Sequence, residues 1–165
     1  MHKHVLIPTD FQMDSLNTIK KVIHDMNDED TVAVTLLHGY FLNDSITDLL
    51  FNSRKDILKE IVPPVFFEGC ELLKNKYASQ LTHIKIDLFH GLNKRAFKSY
   101  VTNNQIDKVY IPAGINQKKA TKRSFDITPY INDCCDDVSH VQFQEKHEES
   151  MENFSELFLN TIKIS

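Results

Sequence analysis

Four cationic and two hydroxyl side chains lie close together after a short apolar run that ends near Gly114. They are, in chain order, Lys118, Lys119, Thr121, Lys122, Arg123 and Ser124. Positive side chains and hydroxyl groups in one loop can hold an anion through charge-assisted hydrogen bonds. A run of charges is more often a solvated loop, and the sequence alone favours that interpretation. Both remain open at this point.

Histidines offer a second kind of chemistry, and the chain has 8 of them. No two stand at the spacing of a helical zinc site, so the sequence does not predict a metal centre. His38 and His90 each follow an apolar run. A neutral imidazole there can hydrogen-bond a ligand, although a structural histidine with satisfied partners is the commoner case. Neither histidine is enough to predict catalysis.

Apolar runs alternate along the chain with segments of helical periodicity. Such alternation requires right-handed crossovers and predicts an α/β fold, in which a doubly wound, mainly parallel five-stranded sheet carries helices on both faces. We expect the strand order 3-2-1-4-5, with ligands bound beyond the carboxyl ends of the strands. The predicted strands cover residues 5–7, 31–37, 82–89, 109–111 and 138–143.

Two parts of this pattern need separate comment. In the third strand, apolar residues alternate with Lys85 and Asp87, which predicts that the outer face of this strand is partly solvated, as on an edge strand. A long excursion over residues 41–64 precedes that strand, and its first half reads as a short helix from Asn43 to about Phe51. Its role is left open.

Length and composition predict one domain over residues 1–144 with a helical C-terminal extension over residues 145–165. A net charge of −4 argues against bulk nucleic acid as a partner. No apolar run approaches the roughly 18 residues that span a bilayer. The 3 cysteines suit reduced thiols, and we therefore expect a cytoplasmic protein.

Several segments together resemble the universal stress protein family. The matching stretches are His4 to Phe11 (His-Val-Leu-Ile-Pro-Thr-Asp-Phe), Ser15-Leu16-Asn17, Thr35-Leu36-Leu37-His38, and Ile106 to Gly114. Their order and spacing are similar to the family's from about residue 4 to residue 143. The resemblance implies a doubly wound fold, frequent homodimers and, in the nucleotide-binding members, ATP at the strand ends, with an aspartate at the position of Asp10 near the adenosine.

Those nucleotide-binding members also carry a glycine motif after the fourth strand. Its order is glycine, two residues, glycine, nine residues, and then glycine with a small hydroxyl residue. Here Gly114 supplies the first glycine, Gln117 stands in place of the second, and Phe125-Asp126 lies near the expected final pair. A carboxylate at Asp126 would occupy the donor-rich site of a phosphate, so an ordinary phosphate cradle is not expected.

The resulting prediction is a stress-response-type signalling or binding module, non-enzymatic, with weak or absent adenine nucleotide binding. The alternative is an ATP-binding switch or slow ATPase that uses the basic loop 118–123 in place of the glycine motif, and the enzyme question stays open. Candidate ligands are ATP or AMP, with Mg²⁺ if ATP. Expected partners are a second copy, through the fifth strand and the C-terminal extension, and an unidentified protein. The candidate binding residues are Pro8, Thr9, Asp10, Leu37, His90, Gly91, Gly114, Lys118, Lys122, Arg123 and Ser124.

Overall fold

The computed structural model describes residues 1–42 and 53–143. The predicted helix from Asn43 to about Phe51 and the predicted extension over residues 145–165 lie outside these ranges. The elements in chain order are β1 (His2–Pro8), α1 (Met13–His24), β2 (Thr31–Tyr40), α2 (Arg54–Ile61), α3 (Pro64–Lys76), β3 (Leu81–Phe89), α4 (Lys94–Asn103), β4 (Lys108–Pro112), a 3₁₀ turn (Gln117–Lys119), β5 (Ser124–Phe125), α5 (Thr128–Cys134) and β6 (Val138–Val141).

Five strands form a parallel sheet in the order β3-β2-β1-β4-β6. This confirms the predicted order 3-2-1-4-5, because β6 is the strand predicted as the fifth. The described residues add one strand that the sequence did not predict. It is β5, which pairs antiparallel with the last two residues of β2.

The central strand β1 divides the core into two layers. Val5 and Ile7 pack on one face with the apolar residues of α1 and α3, whereas Leu6 packs on the other face with those of α4 and α5. Successive side chains of a strand point to opposite faces, so a continuous apolar run suits a strand covered on both sides. Because helices cover both faces of the sheet at β1, a ligand can approach this strand only at its ends.

The outer face of β3 is partly solvated, but its two charged side chains differ in exposure. Asp87 does not face solvent, because its side chain is only 1% exposed. Arg54 from α2 and Tyr100 from α4 both bond to its carboxylate and cover it. Lys85, in contrast, is 42% exposed, in agreement with the prediction. In the described parts of the chain, every helix is too short or too polar to cross a membrane.

Candidate functional site

The segment after β4 folds back over the carboxyl ends of β1 and β2, and residues 113–127 are called the crossing loop below. Gly114 turns the chain with a φ of +75°, which suits a residue without a side chain. After the 3₁₀ turn, β5 pairs Phe125 with Gly39 and Ser124 with Tyr40. The crossing loop therefore covers the edge of the sheet where ligands bind in folds of this kind.

Gln117 lies at the centre of this arrangement and is 1% exposed. Its side-chain Nε2 donates to the carbonyl oxygens of Thr9 and Leu37, both at 3.0 Å. Its Oε1 accepts from the backbone N–H of Ile127 at 2.9 Å. One amide group thus joins the ends of β1 and β2 to the residue before α5.

A chain of hydrogen bonds through His38 runs beside Gln117. His38 Nδ1 lies 2.7 Å from the carbonyl oxygen of Thr9, and Nε2 lies 2.7 Å from Ser124 Oγ. A carbonyl oxygen can only accept, so Nδ1 carries the proton and Nε2 accepts from Ser124. Ser124 Oγ in turn accepts from Thr121 Oγ1 at 2.8 Å. Burial lowers the pKa of His38, although its bond to Thr9 and the charge of Asp10 act in the opposite direction.

Asp10 is half-buried and bonds to the chain's own backbone. Its Oδ1 accepts from the N–H of Gln12 at 3.2 Å, and its Oδ2 accepts from the N–H of Asn116 at 3.1 Å. The first bond closes the turn after β1, as expected for an aspartate at this place. The second bond holds the crossing loop. Both carboxylate oxygens of Asp10 therefore already serve structural roles.

The final pair of the glycine motif corresponds to the residues where α5 begins. Nine residues after Gln117 end at Asp126, so the last glycine and the hydroxyl residue correspond to Ile127 and Thr128. Phe125-Asp126, which lies near this pair, precedes it by two residues. Thr128 therefore stands where the motif has its hydroxyl residue, and Gln117 and Ile127 stand where it has its later glycines.

The geometry does not fit a phosphate cradle. The N–H of Ile127 bonds to Gln117, and the N–H of Thr128 bonds to Asp126 Oδ1 at 2.9 Å. β5 also packs tightly on β2, because a methyl group at Gly39 would lie 2.4 Å from the carbonyl oxygen of Phe125. Thr128 Oγ1 is available to a ligand, since within residues 1–42 and 53–143 it is the one buried side-chain oxygen or nitrogen without a hydrogen-bond partner.

The structure brings only part of the candidate residues together. The strand-end junction, as we name it, comprises Thr9, Leu37, His38, Gln117, Ser124 and Ile127. Of the predicted residues, Thr9, Leu37 and Ser124 belong to it, and Asp10 and Gly114 shape the chain around it. Pro8 is buried at the end of β1.

The other candidates lie outside the junction. His90 Nδ1 lies 2.9 Å from the carbonyl oxygen of Tyr40, and burial lowers its pKa. Gly91 packs closely against the ring of Phe89. The side chains of Lys118, Lys122 and Arg123 are exposed.

Sequence reasoning missed the role of Gln117, which it recognised only as a missing glycine. A long amide side chain where a glycine was expected, between two strand ends, is the signal that could have indicated a buried hydrogen-bonding role. Metal binding finds no support in the described residues, because they contain no group of three or more metal-ligating side chains close together. A cavity of about 380 Å³ beside Phe67 and Leu72 of α3 lies away from the junction.

Comparison with solved structures gives the fold. The chain superposes on the hypothetical protein MJ0577 with a TM-score of 0.53 and 16% identity, over 88% of this chain and 99% of that one. A universal stress protein UspA from Lactobacillus plantarum matches with a TM-score of 0.44 and 10% identity, over 86% and 97% of the two chains. A universal stress protein in complex with cAMP matches with a TM-score of 0.46 and 14% identity, over 84% and 96%.

The match to MJ0577 and the strand order place the chain among doubly wound α/β proteins. This is the fold that the sequence resemblance implied, and at such identities the likeness concerns the fold alone. No protein-family model matches the chain. No curated protein matches it either.

Proposed function

We propose that this chain is a divergent universal stress protein that acts as a non-enzymatic signalling or binding module, with weak or absent binding of adenine nucleotide at the strand-end junction. The observation that carries the proposal is the side chain of Gln117, which bonds to three peptide groups where a ligand would have to enter. The motifs around Asp10 and His38 and the fold shared with MJ0577 support the family.

Fold alone does not decide function, so the proposal depends on the chemistry of the junction. A nucleotide phosphate requires backbone N–H groups that are not already bonded. At the junction the N–H groups of Ile127, Thr128 and Asn116 bond to side chains of this same chain. A nucleotide would have to displace Gln117, Asp126 and Asp10 before it could bind there, and this cost lowers its affinity.

A second candidate is an ATP-binding switch or slow ATPase that uses the basic loop. Two observations favour it: the lysines of residues 118–123 are exposed, and Thr128 Oγ1 lacks a partner. In this arrangement Lys118, Lys122 and Arg123 would contact the phosphates from outside the junction, and Mg²⁺ would balance the remaining negative charge. The adenosine would then have to lie near Asp10.

For partners, we propose a homodimer formed through the last strand and the C-terminal extension, together with an unidentified protein. β6 stands at the end of the strand order, where it pairs with β4. The backbone of such an edge strand can pair with a second copy, and in a twofold dimer the same edge serves both subunits. A cytoplasmic location is part of the same proposal.

The test is to denature gently purified full-length protein and identify the released small molecules by mass spectrometry. ATP and AMP are then titrated into the protein with and without Mg²⁺ by calorimetry, and light scattering on the same sample gives the oligomeric state. We expect no stoichiometric nucleotide, no binding tighter than millimolar, and a dimer.

The second candidate predicts a different outcome, and variants distinguish it. Stoichiometric nucleotide together with hydrolysis that falls in Lys122→Ala and Arg123→Ala would contradict the proposal and establish the switch. Lys74→Ala is the matched control, because Lys74 is an exposed lysine of α3, outside the crossing loop. Hydrolysis that all three variants share unchanged would indicate a contaminating enzyme.

A further inference from the structure

We infer that Gln117 is a built-in substitute for a ligand, which keeps the crossing loop closed over the sheet whether or not nucleotide is present. The inference rests on the proposed function, because it explains how the junction remains ordered without nucleotide. It concerns a positioning role for Gln117, which acts through the backbone of Thr9, Leu37 and Ile127.

Two carbonyl oxygens of the junction have no remaining capacity to accept a hydrogen bond. A carbonyl oxygen accepts two hydrogen bonds through its two lone pairs. The oxygen of Thr9 accepts from Gln117 and from His38, and the oxygen of Leu37 accepts from Gln117 and from the N–H of Thr9. No lone pair of these two carbonyl oxygens remains for a ligand.

Glutamine suits this position because its amide both donates and accepts. Both N–H groups of Nε2 are directed to carbonyl oxygens, and Oε1 is directed to an N–H. The backbone around Gln117 is itself fixed, since the N–H of Ala120 donates to the carbonyl oxygen of Gln117 at 3.1 Å. The side chain therefore reaches the strand ends from a rigid turn.

The crossing loop also packs closely against β2, in addition to its hydrogen bonds. Gly39 lies so close to the crossing loop that an added Cβ would meet Ile127 Cγ2 at 2.9 Å as well as the backbone of Phe125. Ile127 is fully buried, and the ring of Phe125 lies 4.5 Å from that of Phe41. A ligand therefore reaches the strand-end junction only if Gln117 and β5 move away from the sheet together.

The test is hydrogen–deuterium exchange of the full chain, followed in peptides that cover residues 113–127. Gln117→Met keeps the length of the side chain and removes its amide. Gln80→Met is the matched control, because Gln80 Nε2 also donates to a carbonyl oxygen, that of Asn27, outside the crossing loop. Gln117→Glu is a second variant, which keeps the acceptor for Ile127 but loses the donors to Thr9 and Leu37.

We expect exchange in the crossing loop to be about 10-fold faster in Gln117→Met, which corresponds to about 1.4 kcal/mol of local stability. Gln80→Met leaves it unchanged. In the wild-type protein, millimolar ATP or AMP does not slow exchange in the loop, and this measurement needs no variant. The inference is overturned if both Gln117 variants retain wild-type exchange in the loop, or if nucleotide slows exchange in the wild-type loop.

The outcomes separate the inference from the proposed function. Nucleotide that binds the wild-type protein tightly without changing exchange in the loop would contradict the proposed function and support the inference. Unchanged exchange in both Gln117 variants, in a protein that binds no nucleotide, would contradict the inference and leave the proposed function intact.

Discussion

The strand-end junction and a second polar cluster both attach other segments to the sheet, but they use different kinds of hydrogen bond. The second cluster, called the edge cluster, comprises Asp87 of β3, Lys85 of the same strand, Arg54 of α2 and Tyr100 of α4. Each site holds neighbouring segments onto the sheet through a buried polar side chain at its centre, Gln117 in the junction and Asp87 in the edge cluster. The junction does so with neutral groups, whereas the edge cluster does so around one carboxylate.

The carboxylate of Asp87 is fully engaged. Oδ1 accepts from Arg54 Nη1 at 2.8 Å and from the N–H of Leu88 at 2.9 Å, and Oδ2 accepts from Tyr100 at 2.7 Å and from Lys85 Nζ at 3.1 Å. Burial raises the pKa of Asp87, but the bonds from Tyr100 and Lys85 and the charge of Arg54 outweigh it and hold the pKa below its ordinary value. The carboxylate is therefore ionised in the folded protein.

The difference shows how each site depends on its surroundings. At the junction, the neutral amide of Gln117 bonds to backbone groups, and none of these bonds involves a charged side chain. The cations of the edge cluster reach into water, since Arg54 is 52% exposed and Lys85 is 42% exposed. The junction should thus respond to changes of shape, and the edge cluster to changes of charge.

Removal of the central carboxylate should have the largest effect. We expect Asp87→Ala to lower the free energy of unfolding by about 3 kcal/mol, because Tyr100 loses its acceptor and a buried charge-assisted network is lost. Urea unfolding measures this value. Asp25→Ala is the control, since Asp25 is exposed and pairs with Lys21 only one helical turn away. Equal losses in the two variants would mean that the edge cluster adds nothing to stability.

The two sites should also respond to acid at different pH values. Burial lowers the pKa of His38, and of His4 and His90, from 6.5. Below about pH 6.5 the unfolded chain therefore binds protons that the folded protein does not, and stability falls as the pH falls. Asp87, with its lowered pKa, contributes stability that is lost only as the pH falls below its unfolded value of about 3.8.

Unfolding in urea from pH 8 to pH 3 separates these two contributions. His38→Gln should flatten the loss that begins near pH 6.5, and Asp87→Asn should flatten the loss below about pH 4. A His38→Gln protein with the wild-type slope between pH 6.5 and 5 would show that this histidine is not held neutral by burial.

The sequence predicted the frame that both sites share. The run Val5 to Ile7 and the βαβ spacing indicate a parallel sheet because they reflect local patterns, and the strand order agrees. β5 could not be predicted, since it has two residues and exists only through its pairing with Gly39 and Tyr40. Non-local pairing of that kind leaves no periodic signal.

The same limit applies to the buried polar groups. The alternation in β3 correctly describes an edge strand, but it cannot show that α2 and α4 place Arg54 and Tyr100 over Asp87. Gln117 was visible as a departure from a glycine motif. Its partners are the residue after β1, a residue of β2 and the residue before α5, so its role depends on a tertiary arrangement that no local pattern contains.

Arg54→Ala should have the smallest effect on stability, and its salt dependence tests the difference between the charged edge cluster and the neutral junction. Arg54→Ala should lower the free energy of unfolding by only about 0.5–1 kcal/mol, because half of this side chain is in water and Lys85 and Tyr100 still bond to Asp87. The loss should shrink in about 1 M NaCl, where charges are screened beyond about 3 Å. Arg54→Lys is the control and should retain most of the stability at low salt.

The loss caused by Gln117→Met should be the same at both salt concentrations, because the side chain of Gln117 carries no charge that salt could screen. A salt-dependent loss in Gln117→Met would remove the distinction between the two sites.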